Sequence, residues 1–246
     1  MRCMVVYLFL FAGLLSAQQD VISPVLPMAT KIETDQSFQW RPALEQSMRM
    51  LMVQHGFRIA AQPETRARLK GKFFADYADS LKAVKGWEDG DNMIINYINH
   101  PIQGGATNYI YIHNDPKSRG VEFGNTREYW HSRLKALAWT TVWSTQFEIG
   151  PLSEASIGNV GQKKGSAGYV DFVVTPAGGF ALTVLEDWVD KKFIQRWEAN
   201  TPSVGKRTFF RIALNPSRAL ANLLQGKGPW HREGRSLLCA PKAACP

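Results

Sequence analysis

His100 stands in the run "NMIINYINHPIQGGATNYIYIHND", Asn92 to Asp115, which carries no Asp, Glu, Lys or Arg between Asp91 and Asp115. The run is nonetheless full of Asn, Gln, Thr, Tyr and His. A neutral polar group taken out of water needs a hydrogen-bond partner, so the pattern predicts a poorly hydrated interior joined by hydrogen bonds. Polar and acidic groups recur through this charge-thin middle: Asp91, Asn96, Asn108, Glu148, Glu154, Asn159, Asp171, Glu186 and Asp187. Asn96 and His100 are four apart and share a helix face, as do Glu186 and Asp190. A carboxylate beside a histidine in a low-dielectric pocket shifts the titration of both, which is how acid–base pairs are tuned. The catalytic reading makes His100 a general base, with Glu148, Glu154 or Asp171 orienting it or serving as the acid. Asn96, Gly104, Asn108, Thr175 and Gly179 are then the ligand-binding candidates. The other reading makes the same groups a network that clamps close-packed helices without catalysis. The residue types admit both.

The common signatures of catalysis and phosphate binding are absent: no HExxH, no GxSxG elbow and no GxxxxGK(S/T) loop. "GNVGQKKG", Gly158 to Gly165, has glycines and lysines but no strand–loop–helix frame. "TREYWHSR", around His131, reads as the wet, basic start of a helix. No cofactor and no metal ligand set is expected from the sequence.

The elements that must position these residues read as helices. From Arg41, apolar residues recur at three- and four-residue steps through Leu44, Met48, Leu51, Met52 and His55. Pro63 and Glu64 suit the start of a second helix, running through Leu69, Phe73, Tyr77 and Leu81 to about Val84. "GWEDGD" is a turn. The residue before a proline is biased away from helical geometry, so one helix is expected to end near His100 and another to restart at Pro101. "LKALAWTTVWSTQFEIG" reads as a largely buried helix ending at Glu148. Thr175-Pro176 and Asn215-Pro216 each read as an N-cap followed by proline at the first helical position. The pairs Gly104-Gly105 and Gly178-Gly179 predict close approach of two helix backbones.

The chain has 246 residues, 45% hydrophobic and 20% charged, with net charge +8 and eight Trp. That composition suits a folded protein and not a disordered one. Residues 1–17, "MRCMVVYLFLFAGLLSA", have a positive start, an apolar stretch and small residues before "QQD", as a secretory signal does. Beyond Cys3 the cysteines are Cys239 and Cys245. In an exported protein these two are expected to form a disulfide; the rival reading is a metal clip. Basic residues gather at Arg66 to Lys72 and from Arg196 through Lys206, Arg207, Arg211, Arg218, Lys227 and Arg232 to Arg235. For an exported chain the expected partner is anionic lipid or another envelope component, not nucleic acid. The alternative is a solvated basic face.

The blocks "NYINHPIQGGATNYIY", "FEIGPLSEASIGN" and "DFVVTPAGGFAL" resemble an uncharacterised bacterial envelope family catalogued as domain of unknown function 3943. That family carries a His-Pro-x-x-Gly block, a mid-chain acidic helix end, and an Asp-x-x-x-Thr-Pro-x-x-Gly block. Here these are His100, Pro101 and Gly104; Glu148 with Glu154; and Asp171, Thr175, Pro176 and Gly179. More distantly the blocks are similar to VanZ-like membrane proteins, with departures: Asn96 stands four residues before His100, and Thr-Pro replaces an Asn. Both resemblances imply a helical, membrane-associated body and neither supplies a reaction.

The expected organisation is a signal at 1–17, a linker at 18–39, basic amphipathic helices at 40–90, a charge-poor helical core at 91–190, and basic helices with the cysteine tail at 191–246. The expected fold class is mainly α: a compact helical bundle with close small-residue packing, embedded in or lying on a membrane. The expected location is the periplasm or the outer membrane, though not as a barrel, because no series of alternating ten-residue strands occurs. Two functions fit: a non-catalytic protein that binds or organises an envelope component, or a small envelope hydrolase or transferase. Oligomeric state leaves no mark on the sequence.

Overall fold

A computed structural model describes residues 36–61, 63–89, 91–158 and 168–237. The signal at 1–17, most of the linker, Asn159, "NVGQKK" and both Cys239 and Cys245 lie outside the described residues. Among those described, the chain is helical and has no strand.

The centre of the fold is the helix α4, His100–Asn114. Most of its residues are buried, including Gly104, Gly105, Ala106, Thr107 and Asn108. Around it pack α1, Trp40–Ala61; α6, Arg127–Ile149; the long helical run α7, Val170–Asn200; and α9, Pro216–Leu224. Short helices α2, Pro63–Arg68, and α3, Phe73–Ala83, precede α4; α5, Pro116–Arg119, follows it; and α8, Val204–Ala213, leads into α9. Small residues set the spacing of the centre. A Cβ at Gly104 would overlap the Thr175 carbonyl, and one at Gly179 would overlap the Gly104 backbone. A Cβ at Gly105 would lie 2.5 Å from Ser217 Oγ. The paired glycines are therefore the crossing points of α4 with α7 and α9, where any side chain forces the backbones apart.

One hydrophobic cluster joins α1, α4, α6 and α9 through Ala43, Met50, Leu51, Ala106, Ile110, Trp143, Phe147 and Leu224. A smaller one joins Tyr109, Ile112, Ala136 and Ala221, and many of the other buried groups are polar. Thr140 Oγ1 donates to Asn108 Oδ1 at 2.6 Å, and Asn108 Nδ2 donates to Thr183 Oγ1 at 3.0 Å. α6 is less enclosed than its sequence implies: Leu134 and Val142 face outward, the latter 72% exposed. The second predicted helix is split, with α2 ending at Arg68 and α3 starting at Phe73.

Two expected boundaries are absent. α4 does not restart at Pro101; it continues a π turn, Ile95–Asn99, with helical backbone at both Asn99 and His100. α7 begins at Val170, not at Thr175, and a second π turn, Val174–Gly178, carries the chain through Pro176. Proline removes a helical N–H and its ring crowds the preceding turn. Widening that turn by one residue relieves the clash without ending the helix. Asn215 is the N-cap residue of α9 with Pro216 next, as expected. The run α7 is long and apolar enough to cross a membrane by length and composition.

Candidate functional site

Four segments bring their polar groups together at one end of α4. His100 opens α4, Asp171 opens α7, Thr175 sits in the π turn of α7, and Glu148 lies in the last turn of α6. Glu154 begins a further π turn, Glu154–Gly158. Three π turns thus border the cluster, which is where such turns are commonly used.

His100 is buried, and its Nδ1 lies 3.0 Å from Thr175 Oγ1. Its Nε2 faces Asp171 Oδ1 at 3.4 Å, too poorly aligned for a hydrogen bond. The ligand atoms of His100, Glu148 and Asp171 all lie within 4.8 Å of one another, so these three could hold a metal ion. Asp171 Oδ1 and Glu148 Oε1 are enclosed and have no hydrogen-bond partner among the described residues. Glu154 is ion-paired with Arg58 of α1. Asp89 accepts from Asn96 Nδ2 at 2.8 Å and from the Asp91 backbone at 2.9 Å.

The electrostatics follow from this crowding. Burial lowers the His100 pKa; the Glu154 and Asp89 charges oppose that and the Arg58 charge adds to it, so the neutral imidazole is favoured. Burial, the Asp89 charge and a hydrogen bond with the Asp89 carboxyl push Asp171 up to about 9. Burial works against ionised Asp89, but hydrogen bonds from Asn96, the Asp91 backbone and Asp171 hold it below its usual value. The Asp89–Asp171 contact thus favours the protonated form at Asp171 and the ionised form at Asp89. Burial raises Glu148 well above its usual value, helped by the Glu154 and Asp171 charges and opposed by Arg58.

The far end of α7 is built the opposite way. Asp187 Oδ1 accepts from Tyr109 at 2.9 Å and Arg218 at 2.5 Å, and Oδ2 from Tyr129 at 3.0 Å and Arg133 at 2.8 Å. Asp190 pairs with Arg232 and Arg235, and Glu198 with Arg211 and Arg235. The basic C-terminal cluster was expected to face an anionic partner. Arg207, Arg211 and Arg232 are instead buried, and Arg218 and Arg235 turn inward to these carboxylates. A helical chain with unpaired acids inside α7 offers guanidinium groups the better partner. A cavity of about 280 Å³ opens beside this network, between Glu122, Arg218 and Arg232.

Sequence reasoning named His100, Glu148, Glu154, Asp171, Asn96 and Thr175, and the structure gathers all six. Of the other ligand-binding candidates, Gly104 and Gly179 face each other at the helix crossing, and Asn108 is taken up by Thr140 and Thr183. Arg58 and Asp89 were missed. Asp89 sat in a segment read as a turn, and Arg58 on a helix read for its apolar stripe. The chain matches no protein-family model, no curated protein and no solved structure.

Proposed function

We propose that the protein works at a membrane surface of the cell envelope, and that the His100 cluster is where it acts, as a small hydrolase or transferase on a lipid or cell-wall substrate. The carrying observation is that Asp171 Oδ1 and Glu148 Oε1, on two residues close to His100, are enclosed and have no hydrogen-bond partner among the described residues. A buried acceptor left unpaired costs roughly 1–3 kcal/mol. A network built for stability alone avoids that cost, as Asp187 does at the other end of α7. Apolar groups surround the cluster: Met93, Ile94, Tyr97 and Ile98 precede His100, and Tyr169 and Val173 flank Asp171, all substantially exposed. Exposed rings beside a polar site suit an amphiphilic substrate better than a fully hydrated one.

Binding without turnover is a second reading, and a separate surface favours it. Phe193, Trp197 and Phe209 are exposed, Phe209 by 62%, and stand among exposed Lys192, Arg196 and Lys206. Aromatic rings with interspersed cations are the composition of a surface that lies on anionic lipid. The test is incubation of the chain with anionic phospholipid vesicles, followed by sedimentation and mass spectrometry of the lipid. Expected are salt-sensitive sedimentation, weakened by Trp197→Ala with Phe209→Ser, and a lipid product that disappears in His100→Ala. Sedimentation without product supports the second reading. Absence of both removes the lipid proposal.

A further inference from the structure

We propose that His100, Glu148 and Asp171 bind one divalent transition-metal ion of the zinc type. This rests on the reading of the cluster as a working site and names what completes it. The three donor atoms already converge within 4.8 Å of one another. Tetrahedral zinc with bonds near 2.0 Å spaces its ligands by about 3.4 Å, so only a small closing of side chains is needed. Two of the three residues also carry an enclosed acceptor, Asp171 Oδ1 and Glu148 Oε1, to which nothing donates among the described residues. Asp171 is 5% exposed, so solvent does not satisfy it either.

The imidazole is oriented as a ligand. Thr175 Oγ1 holds Nδ1 at 3.0 Å and leaves Nε2 facing Asp171. Metal-binding histidines commonly have their second nitrogen fixed by a neighbour in this way, which sets both tautomer and ring angle. One imidazole with two carboxylates suits zinc and its neighbours better than an all-oxygen site for magnesium or calcium. Three protein ligands also leave a coordination position for water or a substrate oxygen. In the sequence the ligands are separated by 47 and 22 positions, which no short metal motif spans.

The experiment uses the full chain, stripped with EDTA and dialysed. It is titrated with Zn²⁺ by calorimetry and with Co²⁺ by visible absorption, which reports low-symmetry coordination directly on the parent. Expected are one equivalent per chain and a Co²⁺ ligand-field band that Zn²⁺ displaces. Glu148→Gln and Asp171→Asn each weaken binding at least tenfold. Thr175→Val weakens it by roughly 10–100-fold through loss of the imidazole's support. Glu45→Gln, on the outer face of α1, binds as the parent does. A parent that binds no stoichiometric metal, or a Glu148→Gln/Asp171→Asn double variant that binds as the parent does, overturns the proposal. If the parent binds none and stripped Asp171→Asn melts at or above stripped parent, the metal falls and the working site stands. If the parent binds none and that variant melts well below, both fall.

Discussion

Glu186 is a carboxylate of α7 that caps another helix. Its two oxygens accept the backbone N–H groups of Ser217 at 2.8 Å and Arg218 at 3.1 Å, at the N-terminus of α9. An anion is favoured there by the helix dipole. Burial nevertheless wins: it pushes Glu186 up to about 7 from an ordinary 4.5, against those hydrogen bonds and the Arg218 charge. Between those two values the folded state holds a proton that the unfolded chain has released. Stability from this group is therefore fully present below about 4.5 and is lost as pH rises through about 7. Glu186→Gln has no proton to lose. Urea unfolding of both proteins at pH 5 and pH 8 should show the parent losing about 2 kcal/mol more than the variant across that interval. Taking the difference removes the opposing contribution of His113, whose pKa burial lowers. Equal slopes would mean that Glu186 stays ionised in the fold.

At the scale of elements, the crossing of α4 with α7 is fixed by glycine. Gly104→Ala must displace the Thr175 carbonyl and Gly179→Ala the Gly104 backbone. Each is expected to cost about 1–3 kcal/mol in urea unfolding, because backbone cannot step aside as a side-chain tip can. Gly56, within α1, has open space where a Cβ would go. Gly56→Ala should therefore stabilise by up to about 1 kcal/mol. If all three variants behaved alike, the crossing would not be close-packed at these residues. The glycine pairs were legible in the sequence because small residues doubled inside an apolar segment have few other uses. The π turns were not, since a single widened turn leaves no periodic trace. Pro101 and Pro176 signalled an interruption, but a proline in sequence does not say whether the chain breaks or widens. The inward turn of Arg211, Arg218, Arg232 and Arg235 was also illegible. An arginine reads as surface until the acids it will meet, here Asp187, Asp190 and Glu198, are placed beside it.

Across the whole molecule, α7 carries two acidic clusters with opposite histories. At Asp187 and Asp190 every charge is answered by guanidinium or phenol, and Arg218 with Arg232 and Arg235 holds the Asp190 pKa well below the usual carboxylate range. At Asp171 burial and the Asp89 charge favour the protonated carboxyl, which faces His100 without a hydrogen bond and lies beside Glu148 and Asp89. The mainly α bundle was readable from periodicity and charge, and the absence of charge around His100 was what marked the second cluster. Its partners Arg58 and Asp89 emerged only when α1 and the segment before α4 were folded against it. The account stands on the difference between the two clusters. The most direct measurement is thermal melting of chelator-stripped parent, Asp171→Asn and Asp187→Asn. Breaking a saturated buried network by removing one charge costs about 3–5 kcal/mol, whereas relieving a strained functional site is neutral or stabilising. The account predicts that Asp187→Asn melts far below the parent and Asp171→Asn at or above it. An Asp171→Asn protein that melts as low as Asp187→Asn would contradict it, and would make the His100 cluster another structural clamp.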